Sequence, residues 1–208
     1  MTIPSQAPSS AAVLPPDECH RLSARFFAVG HRVAAWFRIV LARSTGAEVG
    51  AGGASSSGGD AQLGPSSACR GRFSLGSRCQ LESGGVLHPF GGSSGLAQNV
   101  YFALFTVIFG YVGVPIGQDK LIAMLGRILS SNHAVPPVGT IIRSQPDDLR
   151  LTQIGADVWL GAGGTVLGGV TIGDGCVIGA GAVVTRDLPA GSYAASVPAT
   201  VWRQRTAR

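Results

Sequence analysis

The sequence predicts an all-β fold, a parallel β-helix wound from a repeating hexapeptide, and three observations carry that expectation. First, from Ile154 to Leu188 an apolar residue returns at every sixth position: Ile154, Leu160, Val166, Ile172, Ile178 and Val184. Second, Gly155, Gly161, Gly173 and Gly179 follow four of those six, and a small or β-branched residue stands four places after each of the first five: Val158, Gly164, Val170, Cys176 and Ala182. Leu188 closes the series. Third, the chain holds 31 glycines and only 13% charged residues, which suits short strands, tight corners and a surface of small side chains. A period of six matches neither the 3.6 of a helix nor the plain alternation of an ordinary strand. It matches a coil with three short strands per turn, one hexapeptide per side, whose recurring aliphatic points inward.

The same clock can be followed along the chain. Residues 1–18 are rich in Pro, Ser and Ala and read as disordered. Residues 19–44 read as an amphipathic helix, with Arg21, Arg25, Arg32 and Arg43 on one sector and Phe26, Phe27, Val33, Phe37, Val40 and Leu41 over much of the rest. Its arginines are too frequent for a bilayer span. It is expected either to pack on the base of the solenoid or, over residues 21–44, to lie on a membrane surface or a partner. Residues 45–60 form a Gly/Ser-rich linker by composition. The solenoid is placed at 61–189. Its phase is faint at Leu63 and Cys69 and firm at Leu75, Leu81 and Leu87. After three extra residues it resumes at Leu96, Phe102 and Ile108, and after two more at Ile116, Ile122 and Ile128.

Two departures from the clock matter. The uncharged run from Asn99 to Gly117 imitates a short membrane helix, but Gly110, Gly113, Pro115 and the unbroken six-residue phase argue for strands. Between Ile128 and Ile154 some twenty surplus residues must leave the stack, so a loop is expected over 130–150, with His133 at its root. Loops longer than about 12–15 residues in a compact domain are usually functional. Residues 190–208 form a tail carrying Arg203, Arg205 and Arg208.

Eighteen residues make one rung, and rungs spaced about 4.8 Å apart give a prism roughly 20–25 Å tall over the five rungs from Leu75. Each strand pairs with the rungs above and below, so only the two ends of the stack need caps. The spacing leaves the handedness of the coil open. The net charge of +5 brings no cluster of basic and aromatic residues, so nucleic acid is not the expected partner; neutralisation of a phosphorylated cofactor accounts for the excess. Cys19, Cys69, Cys79 and Cys176 form no metal-binding or redox spacing, which fits reduced, cytoplasmic usage, and residues 1–20 lack the pattern of a secretory signal.

Two segments, IGADVWLGAGGTVLGGVTIGDGCVIGAGAVVTRDLPAGSYAASVPATVWR and the upstream IGQDKLIAMLGRILSSNH, resemble the hexapeptide-repeat acyltransferases, in the branch of sugar and maltose O-acetyltransferases. The resemblance runs from about Leu75 to Arg205. It implies a left-handed parallel β-helix, a homotrimer with active sites between subunits, acetyl-CoA as donor, a small hydroxyl acceptor such as a sugar, and no metal. It gives His133, in the motif SSNH, the role of catalytic base. An imidazole, with a reference pKa of about 6.5, is matched to removing a hydroxyl proton as the acyl bond forms, for about 10²–10⁴ in rate. The oxyanion then needs fixed donors, for which backbone N–H groups at a glycine-rich corner are candidates. On the cofactor side the resemblance points to Trp159, Ala162 and Ala180 beside the pantetheine arm, Thr185 and Arg186 near the nucleotide, and Arg203 at the 3′-phosphate.

Each assignment has a structural rival: His133 as a turn histidine, Trp159 as subunit packing, Ala180 as a corner residue chosen for size. His88 reads as a rim residue, and His20 and His31 belong to the N-terminal segment. The chain also departs from the family where Ala103 replaces a common Asn, where Gly110–Tyr111 replace a polar His or Asp, and at Thr200, where a basic residue is usual. N-acetyl transfer to an amino sugar and an inactive trimeric scaffold therefore remain open beside O-acetyl transfer. A zinc hydratase would need three converging histidines, and only His88 and His133 lie in the repeats.

Overall fold

The computed structural model describes residues 48–49, 54–55, 72–88 and 93–206. The helix expected over 19–44 and the faint repeat positions Leu63 and Cys69 lie outside the described residues.

The described chain is a parallel β-solenoid with three faces. The first face stacks Glu48–Val49, Arg72–Leu75 and Ser93–Leu96, continues through single bridges at Ile116 to Gln153–Ile154 and Thr171–Ile172, and ends at Leu188. The second stacks Ala54–Ser55, Gln80–Leu81, Val100–Phe102, Lys120–Ile122, Trp159–Leu160, Val177–Ile178 and Ser192–Ala195. The third stacks Val86–His88, Val107–Phe109, Arg127–Leu129, Thr165–Val166 and Val183–Val184. Every strand here is short because a corner follows after six residues, and each is held by its neighbours in the stack rather than by its own length.

The register places the six-residue aliphatics in vertical columns. Phe102, Ile122, Leu160 and Ile178 stand above one another behind the second face, and Leu87, Ile108, Ile128, Val166 and Val184 behind the third. All are buried, as are Leu96, Ile116, Ile154, Ile172 and Leu188 behind the first. Full burial of such a side chain contributes about 1.5–3 kcal/mol, so the columns are the main source of stability. The positions four places later also turn inward: Cys79, Val158, Val170, Cys176 and Ala182 are all buried. The run from Asn99 to Gly117 forms two of these strands, with side chains alternating between core and surface. Among the described residues no helix is long and apolar enough to cross a membrane.

Corners require a left-handed residue, and the chain meets that need in two ways. Between the first and second faces Asn99, Asp119 and Asp157 take positive φ, residue types that tolerate it. Between the second and third faces Gly163 and Gly181 do so in the later rungs, but Phe105 and Leu125 adopt φ near +60° in the earlier ones, at a cost the stacking must offset. The two-residue slip before Ile116 is a bulge in which the buried Val114 donates its N–H to Ser94 Oγ at 3.2 Å.

The surplus between Ile128 and Ile154 folds back on itself. Ser131–His133 pairs antiparallel with Asp147–Leu149 to make a two-stranded arm, and a short 3-10 turn at Ile142–Ser144 lies in its return limb. At the other end the tail reverses, and Thr200–Gln204 pairs antiparallel with Ser192–Ala195. Arg205 Nη1 then reaches Asp157 Oδ2 at 2.7 Å, tying the tail to the side of the stack.

Candidate active site

The arm is stitched to the stack at its root. Arg150 donates its N–H to Ser130 O at 2.8 Å, and the fully buried Thr152 donates its hydroxyl to Leu129 O at 2.6 Å. Thr152 Oγ1 also accepts from Gly169 N at 3.0 Å, so one side chain joins the outgoing strand, the returning strand and the next rung. Gly168 lets the arm close down there, since a Cβ at that position would sit 3.0 Å from Ser131 N.

That anchorage places His133 opposite Asp147 in the arm's register, and His133 Nδ1 lies 2.8 Å from Asp147 Oδ1. An ionised carboxylate here accepts from Nδ1–H, which fixes the tautomer and leaves the Nε2 lone pair as the basic site. The His133 side chain is 76% exposed, so Nε2 is open to a substrate, while Asp147 is more sheltered. Next to them Arg150 grips Asp148 through Nε and Nη2 at 2.8 and 2.7 Å, which keeps that carboxylate engaged away from the histidine. Asp147 was not read from the sequence; the only signal was an acidic pair on the returning limb of a loop whose outgoing limb carries the histidine.

The residues assigned to the cofactor fall into three places. Ala162 and Ala180 stack at the corner between the second and third faces, where Gly181 N donates to Ala162 O at 2.8 Å. Gly161 permits this, because a Cβ there would lie 2.6 Å from Ala180 N. Thr185 and Arg186 are exposed at the opposite edge of the third face, the edge from which the His133 arm also departs. Trp159 projects half-exposed from the second face. Arg203 lies farther along that face, its guanidinium 4.0 Å from the Tyr193 ring centre and 4.8 Å from that of Trp202. Stacked in this way a guanidinium offers its N–H edge to an anion. His133 and the two alanines thus border the third face on opposite sides and are not brought together within one chain.

Other reactive groups are placed for structure. Burial pushes the thiols of Cys79 and Cys176 up from their ordinary pKa, so neither is a ready nucleophile. Among the described residues no three of His, Cys, Asp or Glu converge to hold a metal. A shallow groove of about 760 Å³ runs over the first face, lined by Gly95, Gly117, Gly155 and Gly173, and none of the residues above lines it. Among the described residues Lys120 is the one ionisable basic side chain in the interior: its pKa is lowered to about 8 by burial, partly offset by Asp174, Asp157 and Asp119.

Residues 151–186 match the family model described as bacterial transferase hexapeptide, six repeats. The chain is 34% identical over 120 residues to the galactoside O-acetyltransferase of Escherichia coli strain K12, covering 57% of this chain and 58% of that protein. Over these residues the chain is similar to hexapeptide-repeat transferases. Among solved structures, this solenoid is similar to an N-acyltransferase from Bacillus cereus in complex with dTDP and 3-hydroxybutyryl-CoA. That likeness has a TM-score of 0.65 at 17% identity and covers 79% of this chain and 86% of that one. It is also similar to a maltose O-acetyltransferase from Clostridium difficile 630, with a TM-score of 0.53 at 22% identity over 92% and 84% of the two chains. At these identities the two structures speak for the fold alone. The hexapeptide-repeat chain spans about half the length of the curated relatives it matches.

Proposed function

We propose that this protein is an acetyl-CoA-dependent O-acetyltransferase that acts in the cytoplasm on a hydroxyl of a sugar or similar small acceptor. The observation that carries this reading is the His133–Asp147 contact of 2.8 Å, held at the root of an arm on a hexapeptide-repeat solenoid. His133 Nε2 takes the acceptor's proton as the oxygen attacks the thioester carbon, and returns it to the sulfur as the C–S bond breaks, so acetyl passes directly and the thiol leaves protonated. Asp147 holds the imidazole in the needed tautomer and stabilises it while it is charged. Trp159, Ala162 and Ala180 flank the pantetheine arm, Thr185 and Arg186 the nucleotide, and Arg203 the 3′-phosphate.

Because the base and the alanine corner lie on opposite edges of the third face, the complete site is assembled between two copies, in a homotrimer. Positioning of both substrates there supplies the remainder of the rate.

The test is thiol release from acetyl-CoA with a panel of sugars and matching amino sugars, run beside His133→Ala. Release with hydroxyl acceptors that falls about 10²–10⁴-fold in the variant is the expected result. Turnover confined to amines would make it an N-acetyltransferase. Full rate in His133→Ala would remove the base assignment, and absence of acetyl-CoA binding in the wild type would leave a trimeric scaffold.

A further inference from the structure

Lys120 is the only lysine in the 208 residues, and it lies in the core. It stands four places after Ile116, on the inward position that Cys79, Val100, Val158, Cys176 and Ser192 occupy in other rungs. Val100 is its register partner below, and the pairing of Leu121 with Trp159 sets Val158 above it. Only 3% of the residue is exposed, and its Nζ is shielded from solvent without a hydrogen-bond partner. A lysine on this column breaks the rule that every other described rung obeys with a small or apolar side chain or a hydroxyl.

The groups whose charge acts on the amine come from three rungs. Asp119 belongs to the corner of its own rung, Asp157 to the next, and Asp174 with the Cys176 thiol to the one after that. Of the three carboxylates Asp174 acts on it most strongly, although it is two rungs away. Each carboxylate already has a partner. Asp174 Oδ1 accepts from Ala156 N at 2.6 Å, Asp157 Oδ2 from Arg205 at 2.7 Å, and Asp119 Oδ1 from Asn99 Nδ2 at 2.6 Å. They attract a positive charge on Lys120 without solvating it, and burial outweighs that attraction.

We propose that Lys120 is a proton-operated strut of the solenoid: the rungs carrying Ile122 and Leu160 close on the neutral amine, and its protonation loosens them. The rung of Ile122 is also the one whose Leu129 and Ser130 anchor the arm, so the loosening falls at the arm's root.

The sign follows from proton counting. In the unfolded chain the amine keeps its proton up to the ordinary 10.5, whereas in the folded chain it releases it near 8. Between those values the unfolded state binds more protons, so folding gains stability as pH rises through that window and has none of this gain below it. Tyr101, Cys79 and Cys176 are raised in the folded chain and work in the opposite direction at high pH. Comparison of wild type with Lys120→Met, and with Lys120→Val to match Val100 and Val158, cancels them.

With one lysine present, isotope labelling of lysine gives a single side-chain signal. Its NMR titration is expected to have a midpoint about two units below that of a free lysine. The melting temperature of Lys120→Met or Lys120→Val should exceed wild type by several degrees near pH 7 and converge on it by about pH 10. Amide exchange at Ile122 and Ile128, corrected for intrinsic rate and compared with Val184, should accelerate below about pH 8 in wild type alone. A midpoint at the ordinary lysine value, a melting difference that is flat with pH in both variants, or an exchange ratio unchanged across the range would each overturn the proposal.

Discussion

Asp147 and His133 show how one contact changes what a residue can be asked to do. A carboxylate at Nδ1 accepts a proton, so the tautomer it selects has a basic Nε2. An amide at the same place can donate to Nδ1 and select the opposite tautomer, with the proton on Nε2. Asp147→Asn is therefore expected to lose more activity than Asp147→Ala, by about tenfold or more in kcat, although it preserves the shape and a hydrogen bond. Wild-type rate in Asp147→Asn beside a loss in Asp147→Ala would show that the side chain acts only by filling space, and equal losses would remove the tautomer argument. At this scale the sequence offers the histidine as a candidate, because a motif surrounds it, and offers no sign of the aspartate. A partner chosen by pairing across an arm leaves no spacing to read. Lys120 is different. It stands four places after Ile116, but a lysine there contradicts hydropathy, and only the structure shows the amine shielded and without a hydrogen bond.

The arm is the element in which fold and site meet, and its attachment rests on Thr152. The hydroxyl bonds Leu129 O and Gly169 N, two backbone groups that face inward at a corner. Thr152→Val keeps the volume and strands both of them, which is expected to cost about 1–3 kcal/mol in chemical denaturation. The same variant should shift the arm's root and lower kcat while leaving acetyl-CoA binding near wild type. A loss of binding as large as the loss of turnover would mean that the threonine supports the stack as a whole rather than the arm. The repeat foretold almost every inward side chain of the solenoid from Leu75 to Leu188, because burial imposes one residue type every six places. It foretold the existence of the loop by default and not its pairing, because Ser131–His133 and Asp147–Leu149 are short, have no buried residue and carry no periodic apolar signal.

At the scale of the whole molecule, one chain leaves an apolar stripe uncovered. Leu121 and Trp159 project side by side from the second face, and Phe105, Met124 and Leu125 crowd the corner it shares with the third; all five are exposed in the single chain. Contiguous apolar surface of this kind marks an interaction site. A second copy is the occupant that would also complete the site, since the alanine corner adjoins this stripe while the histidine arm stands on the far edge of the third face. A solution mass near three times 21.2 kDa is expected. Mixing tagged and untagged chains after unfolding should yield four species. Leu121→Glu sets a charge in the middle of the stripe and on the outside of a strand whose inward residues it leaves alone. It is expected to shift the mass to that of one chain, to keep the β-sheet circular dichroism, and to abolish thiol release while His133 and Asp147 stay paired. A monomer with full activity would place the whole site within one chain, and a trimer that survives the substitution would move the contact to another face.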